Sequence, residues 1–75
     1  MAIFLSNNDP FGNQFRVNDN NNGNNQIWSG YINAHGTQDV YPLFNASGYA
    51  NITTYQDNNN GIGHSFLHDG DTVSV

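Results

Sequence analysis

Arg16, Trp28, Tyr31, Asp69 and Asp71 are the side chains of this sequence whose types suit the holding of a polar ring such as a sugar. An aromatic face covers the apolar side of such a ring, and carboxylate, amide and guanidinium groups fix its hydroxyls. A second set suits a hard cation. Asp19 and Asp57 each open an Asp-Asn-Asn-Asn-Gly tract, and Asn24, Asn25 and Ser29 follow the first one. Side-chain and carbonyl oxygens of this kind ligate calcium. Neither tract is an EF-hand loop, because the Asp is out of phase with the required Gly and no Glu closes the loop. The plainer alternative is a pair of solvated turns. His64, His68 and Asp69 form a third group. On one strand face, positions four apart are separated by about 13 Å, too far for one metal, so these histidines are expected in solvent. Catalysis has no comparable support. The chain lacks cysteine, no Ser, His and Asp spacing suggests a triad, and Asp69 with Asp71 is the closest carboxylate pair. A chain of 75 residues offers little cleft for paired carboxylates. A non-enzymatic protein is expected.

Charge narrows the partners further. Six Asp, one Arg and no Lys or Glu give a formal net charge of −5. With no basic patch to neutralise phosphates, nucleic acid is a poor partner, and anionic membrane surfaces are disfavoured in the same way. The opening run Ala2-Ile3-Phe4-Leu5 is too short for a signal-peptide core or a membrane span. Membrane insertion is not expected, and the cellular location is left open.

The elements that position these groups are expected to be strands. Asn accounts for 15 residues and favours turns over helix or strand interiors, while Phe, Tyr, Trp, Val, Ile and Thr supply the ordered segments. The sequence also matches itself at an offset of 38. Leu5, Asn7 and Asn13 meet Leu43, Asn45 and Asn51, and the two Asp-Asn-Asn-Asn-Gly tracts coincide. Phe11, Val17 and Trp28 meet Tyr49, Tyr55 and Phe66. The chain therefore divides into two tandem units, 1–37 and 38–75, within one domain. Strands are expected at 2–6 and 40–44, at 15–18 and 53–56, and at 26–29 and 64–67. A last strand in each unit falls at 31–32 and 71–75. Asn22-Gly23 and Asn60-Gly61 are the expected type I′ turns. The fold class is all-β, a small antiparallel domain of about eight strands, as a Greek-key sandwich or two propeller-like blades. Phe66 is expected in the core, whereas Trp28 suits either the core or an exposed platform.

The first unit resembles the βγ-crystallin Greek key. The stretch from Ile3 to Val17 is similar to that family's opening strand, aromatic-glycine corner and second strand. Asn24-Asn25-Gln26-Ile27-Trp28-Ser29 is similar to its calcium signature, with Trp28 where Ser or Thr is usual. The resemblance implies calcium at Asn24, Asn25 and Ser29 in a paired-motif domain.

Three functions follow as expectations. The leading one is a lectin-like carbohydrate-binding module, made multivalent by its repeat and by homo-oligomerisation. The second is a calcium-binding structural domain of βγ-crystallin type. The third is a self-assembling Asn-rich structural protein.

Overall fold

Alternation of apolar and polar residues is clearest at Asn13–Asp19. There Phe15, Val17 and Asp19 are buried while Gln14 and Arg16 are exposed. A period of two puts alternate side chains on opposite faces of a strand. The computed structural model describes residues 1–57 and 60–75, and over these the chain is all-β, with no helix. Seven strands run in the order β1 (Ile3–Ser6), β2 (Asn13–Asp19), β3 (Asn25–Ile32), β4 (Thr37–Val40), β5 (Ala50–Gln56), β6 (Ile62–Leu67) and β7 (Thr72–Ser74).

They form a three-stranded sheet, β4-β1-β7, and a four-stranded sheet, β3-β2-β5-β6. One core lies between the two. Ile3, Leu5, Val40 and Val73 come from the small sheet, and Phe15, Val17, Ile32, Ala50 and Ile52 from the large one. The pairing is antiparallel except between β1 and β7, which run parallel and set the two ends of the chain side by side. The wholly antiparallel expectation is corrected at that one ladder.

Four further corrections have identifiable causes. Residues 40–44 are not a strand; β4 ends at Val40. Pro42 has no N–H to give a ladder, and the N–H of Leu43 donates instead to Asp19 Oδ2 at 2.7 Å. Tyr31 and Ile32 are not a separate strand but the end of β3. Gly30 keeps that strand continuous, because the Trp28 ring lies where its side chain would be, 2.7 Å from an added Cβ. The tight turn after β2 sits one residue later than expected. Asn25 N–H donates to Asn22 O at 3.2 Å, and Gly23 and Asn24 both have positive φ, 65° and 60°. That is the φ pattern of a type I′ turn centred on Gly23-Asn24 rather than Asn22-Gly23. The counterpart expected at Asn60-Gly61 is not a type I′ turn, because Gly61 lacks the positive φ that its second central position requires; Asn58 and Asn59, before it, lie outside the described residues.

Phe66 is the fourth. It is 71% exposed, not core. The β5–β6 ladder shifts register between Ala50 and Ile52, a bulge that holds Phe66 at φ 59°. Its N–H donates to Asn51 Oδ1 at 3.1 Å, and its ring turns out to meet Tyr49 edge-on at 5.6 Å. A left-handed conformation is unusual for so bulky a residue. The bulge and the Asn51 hydrogen bond are what sustain it.

The 38-residue offset carries a related consequence. It matches Val17, buried on the inner face, with Tyr55, which the register places on the outer face opposite Arg16. A slip of one residue exchanges the faces of a strand. The buried residues of the paired strands are Phe15 and Val17 on β2 and Ile52 and Thr54 on β5.

Candidate functional site

The outer face of the large sheet collects the groups best able to hold a polar ligand. In the β2–β3 ladder Gln14 stands opposite Tyr31 and Arg16 opposite Ser29. In the β2–β5 ladder Arg16 stands opposite Tyr55 and Asn18 opposite Thr53. Directly opposed residues share a face, so Tyr31, Ser29, Gln14, Arg16, Asn18, Tyr55 and Thr53 lie on one surface, turned away from Phe15 and Val17. Tyr31 is 62% exposed. The Arg16 guanidinium lies 4.1 Å from the centre of the Tyr55 ring, a cation–π arrangement that holds the side chain flat without removing its charge. Glycines make room for the rings. Tyr31 lies where a side chain at Gly12 would be, and an added Cβ at Gly61 would meet Tyr55 at 2.6 Å. Tyr31 and Tyr55 are two strands apart and staggered by two residues, roughly 12 Å. Among the described residues the surface has no concave pocket, so the face is an open platform. Asn18 Oδ1 is closed to solvent and has no donor.

Of the five residues expected at a sugar site, the structure brings together Arg16 and Tyr31. Trp28 is opposite Val17 on the inner side, half-buried and packed against the core. Asp69 and Asp71 are elsewhere, in the β6–β7 connection, where the Asp69 carboxylate holds Ala2 and the Asp71 carboxylate closes a turn on His68. Ala2 N–H donates to Asp69 Oδ1 at 2.8 Å, and Asp71 Oδ2 accepts from His68 N–H at 2.8 Å. The gain is Tyr55, with Gln14, Asn18 and Thr53. The outward set on β2 follows from alternation around Phe15 and Val17. Tyr55 joins it through a cross-strand register that no local pattern carries.

The expected cation ligands are dispersed. Asp19 is buried, and both of its oxygens accept backbone N–H groups, from Asn21 at 3.0 Å and Leu43 at 2.7 Å. Asp57 is exposed at the other end of the sheet, its N–H donating to Gln14 O, roughly 16 Å of strand from Asp19. Asn24 and Asn25 are exposed at the turn, and Ser29 is roughly 13 Å further along β3. Among the described residues no three His, Asp or Glu side chains are grouped to hold a metal ion.

His64 and His68 do not act together. His64 faces inward on the edge strand β6, opposite Ile52, and its Nε2 shares a 3.1 Å hydrogen bond with Thr54 Oγ1. His68 packs edge-on against Tyr49 at 5.0 Å. Partial burial lowers the pKa of His64 below its ordinary 6.5. The unfolded chain therefore takes up this proton first as pH falls. The His64 contribution to stability is complete above the ordinary value, declines as pH falls through 6.5, and levels off below the lowered folded value. A His64→Gln variant is expected to lose this slope in melting temperature between pH 7.5 and 5. An unchanged slope would assign it to other groups.

Compared with family models, with curated proteins and with solved structures, the chain matches none.

Proposed function

We propose that the protein is a non-enzymatic carbohydrate-binding module whose site is the outer face of the large sheet. The observation that carries this reading is the placing of Tyr31, Arg16 and Tyr55 on three adjacent strands, with amides and hydroxyls between them. The exposed Tyr31 ring, with the half-buried Tyr55 ring, offers apolar area to the underside of a sugar, and the exposed Gln14 and Ser29 side chains offer directional hydrogen bonds. The openness of the platform and the spacing of its tyrosines suit an oligosaccharide rather than a single sugar. Single sites of this kind are weak, and affinity then comes from repetition.

The test is a glycan-array screen of the labelled protein beside Tyr31→Ala and Trp28→Ala variants. Tyr31→Ala is expected to weaken binding about 5- to 30-fold, the loss typical of an interface aromatic. Trp28→Ala, after correction for any loss of folded protein, should leave it within a few-fold. The reading fails if no glycan is retained, or if Trp28 rather than Tyr31 governs retention.

The two-unit organisation belongs to the same proposal. Asn7 and Asn45, matched in the sequence, each accept an N–H from two residues ahead, Asp9 and Ser47, both at 3.0 Å. The β2–β3 and β5–β6 hairpins meet through antiparallel β2 and β5, which suits two related halves about a pseudo-twofold axis.

A further inference from the structure

Carboxylates are distributed unevenly over the two sheets. Asp39 stands opposite Phe4 on the outer face of the small sheet, where it accepts a hydrogen bond from the Tyr41 hydroxyl. Asp69 and Asp71 are in the β6–β7 connection, Asp57 follows β5, and Asp19 is buried. Asp9 is in the β1–β2 connection, its Oδ2 accepting from Asn13 Nδ2 at 3.1 Å and Gln56 Nε2 at 3.0 Å. None of the six is a strand residue on the outer face of the large sheet, and the one at its rim is Asp57, just past β5, whose N–H donates to Gln14 O at 2.8 Å. That face carries the only Lys or Arg side chain of the chain, Arg16. The one contact between a basic side chain and a carboxylate within 4.0 Å among the described residues, His68 with Asp71 at 3.6 Å, does not involve it. Arg16 is thus an exposed cation, braced on Tyr55 and with no carboxylate of the described residues within ion-pair distance.

We infer that the platform selects sugars bearing a carboxylate, with Arg16 receiving the anion. This rests on the carbohydrate reading and names its ligand class. A guanidinium presents a planar fork matched to the two oxygens of a carboxylate, and the paired charge-assisted hydrogen bonds are the stronger kind. Gln14 and Ser29, on either side of Arg16, are placed to donate to the remaining oxygens of an acidic sugar ring. The net charge of −5 opposes approach from a distance. At physiological salt that repulsion is screened beyond about 8 Å, while the contact itself is not.

The probes are an oligogalacturonate, the same oligomer with its carboxyls methyl-esterified, and an aspartate oligomer of similar length. Binding is measured by calorimetry on the intact protein and on Arg16→Gln and Arg16→Lys variants, with melting curves to confirm folding. The wild-type protein is expected to prefer the acid to the ester by about tenfold or more, the ratio one charge-assisted pair supplies. Arg16→Gln should erase the preference while keeping weak binding of both, and Arg16→Lys should recover only part of it. Equal binding of acid and ester by the wild-type protein overturns the inference and leaves the carbohydrate reading standing. Equal, Arg16-dependent binding of the acid and the aspartate oligomer supports the anion site but overturns the sugar reading. No binding of any probe overturns both.

Discussion

Replacing Asn7 with alanine is expected to lower the melting temperature by roughly 10–20 °C, from a loss of about 2–3 kcal/mol in a domain of this size. Asn7 is fully buried. Its Nδ2 donates to the carbonyls of Phe11, Ile32 and Asn33 at 3.0, 3.1 and 3.2 Å, and its Oδ1 accepts the N–H of Asp9. One side chain thus ties the β1–β2 connection to the end of β3. Alanine removes the partner and leaves the Ile32 carbonyl in a site closed to water, where an unmade hydrogen bond costs more than the net value of a made one. The sequence-matched residue supplies the comparison. Asn45 is exposed, and its Oδ1 accepts from Ser47 and Tyr49. Its replacement by alanine removes a turn that water can in part re-satisfy, so about 1 kcal/mol or less is expected. Thermal melts of the two variants by circular dichroism decide the matter. Equal shifts would show that burial of Asn7 does not set its contribution.

The same contrast indicates what a sequence of this kind discloses. Turn-forming Asn residues and the alternation around Phe15 and Val17 mark the all-β class and several strands directly, since period and turn chemistry are local properties. Pro42 was a local signal too, and it argues against a strand at 40–44. The placing of Phe66 and Tyr55 is not local. Phe66 is turned outward at a bulge against β5, where its N–H meets Asn51 on the neighbouring strand, and Tyr55 reaches Arg16 only through the β2–β5 register. Trp28 shows the limit from the other side. Residue type suits it equally to a core and to a platform, and its side of the sheet is decided by pairing with Val17. The candidate site was therefore legible on the strand whose alternation is plain, as Arg16, and on the adjacent one, as Tyr31. It was hidden wherever membership depends on which strands become neighbours.

Asp19 is where a structural and a metal-binding role make opposite predictions, and alanine there is expected to cost about 2–3 kcal/mol, near 10–20 °C in melting temperature. Its carboxylate takes the N–H groups of Asn21 and Leu43. Asn21 Nδ2 in turn donates to the carbonyls of Leu43 and Tyr49 at 2.9 and 3.0 Å, and its Oδ1 accepts from Asn51 Nδ2 at 2.9 Å. This network fastens the connection between β4 and β5 to the turn after β2, and losing Asp19 strands the Leu43 N–H. Asp57 occupies the matching place in its own tract but is exposed. Asp57→Asn keeps a residue that tolerates the positive φ of 51°, so a change within about 0.5 kcal/mol is expected. The melts are run in excess calcium and again in EDTA. A carboxylate already engaged by two N–H donors should give the same Asp19→Ala loss in both solutions. A loss seen only with calcium, or parallel losses at Asp19 and Asp57, would instead make these loops cation sites, because a ligand that binds only the folded state stabilises it by mass action.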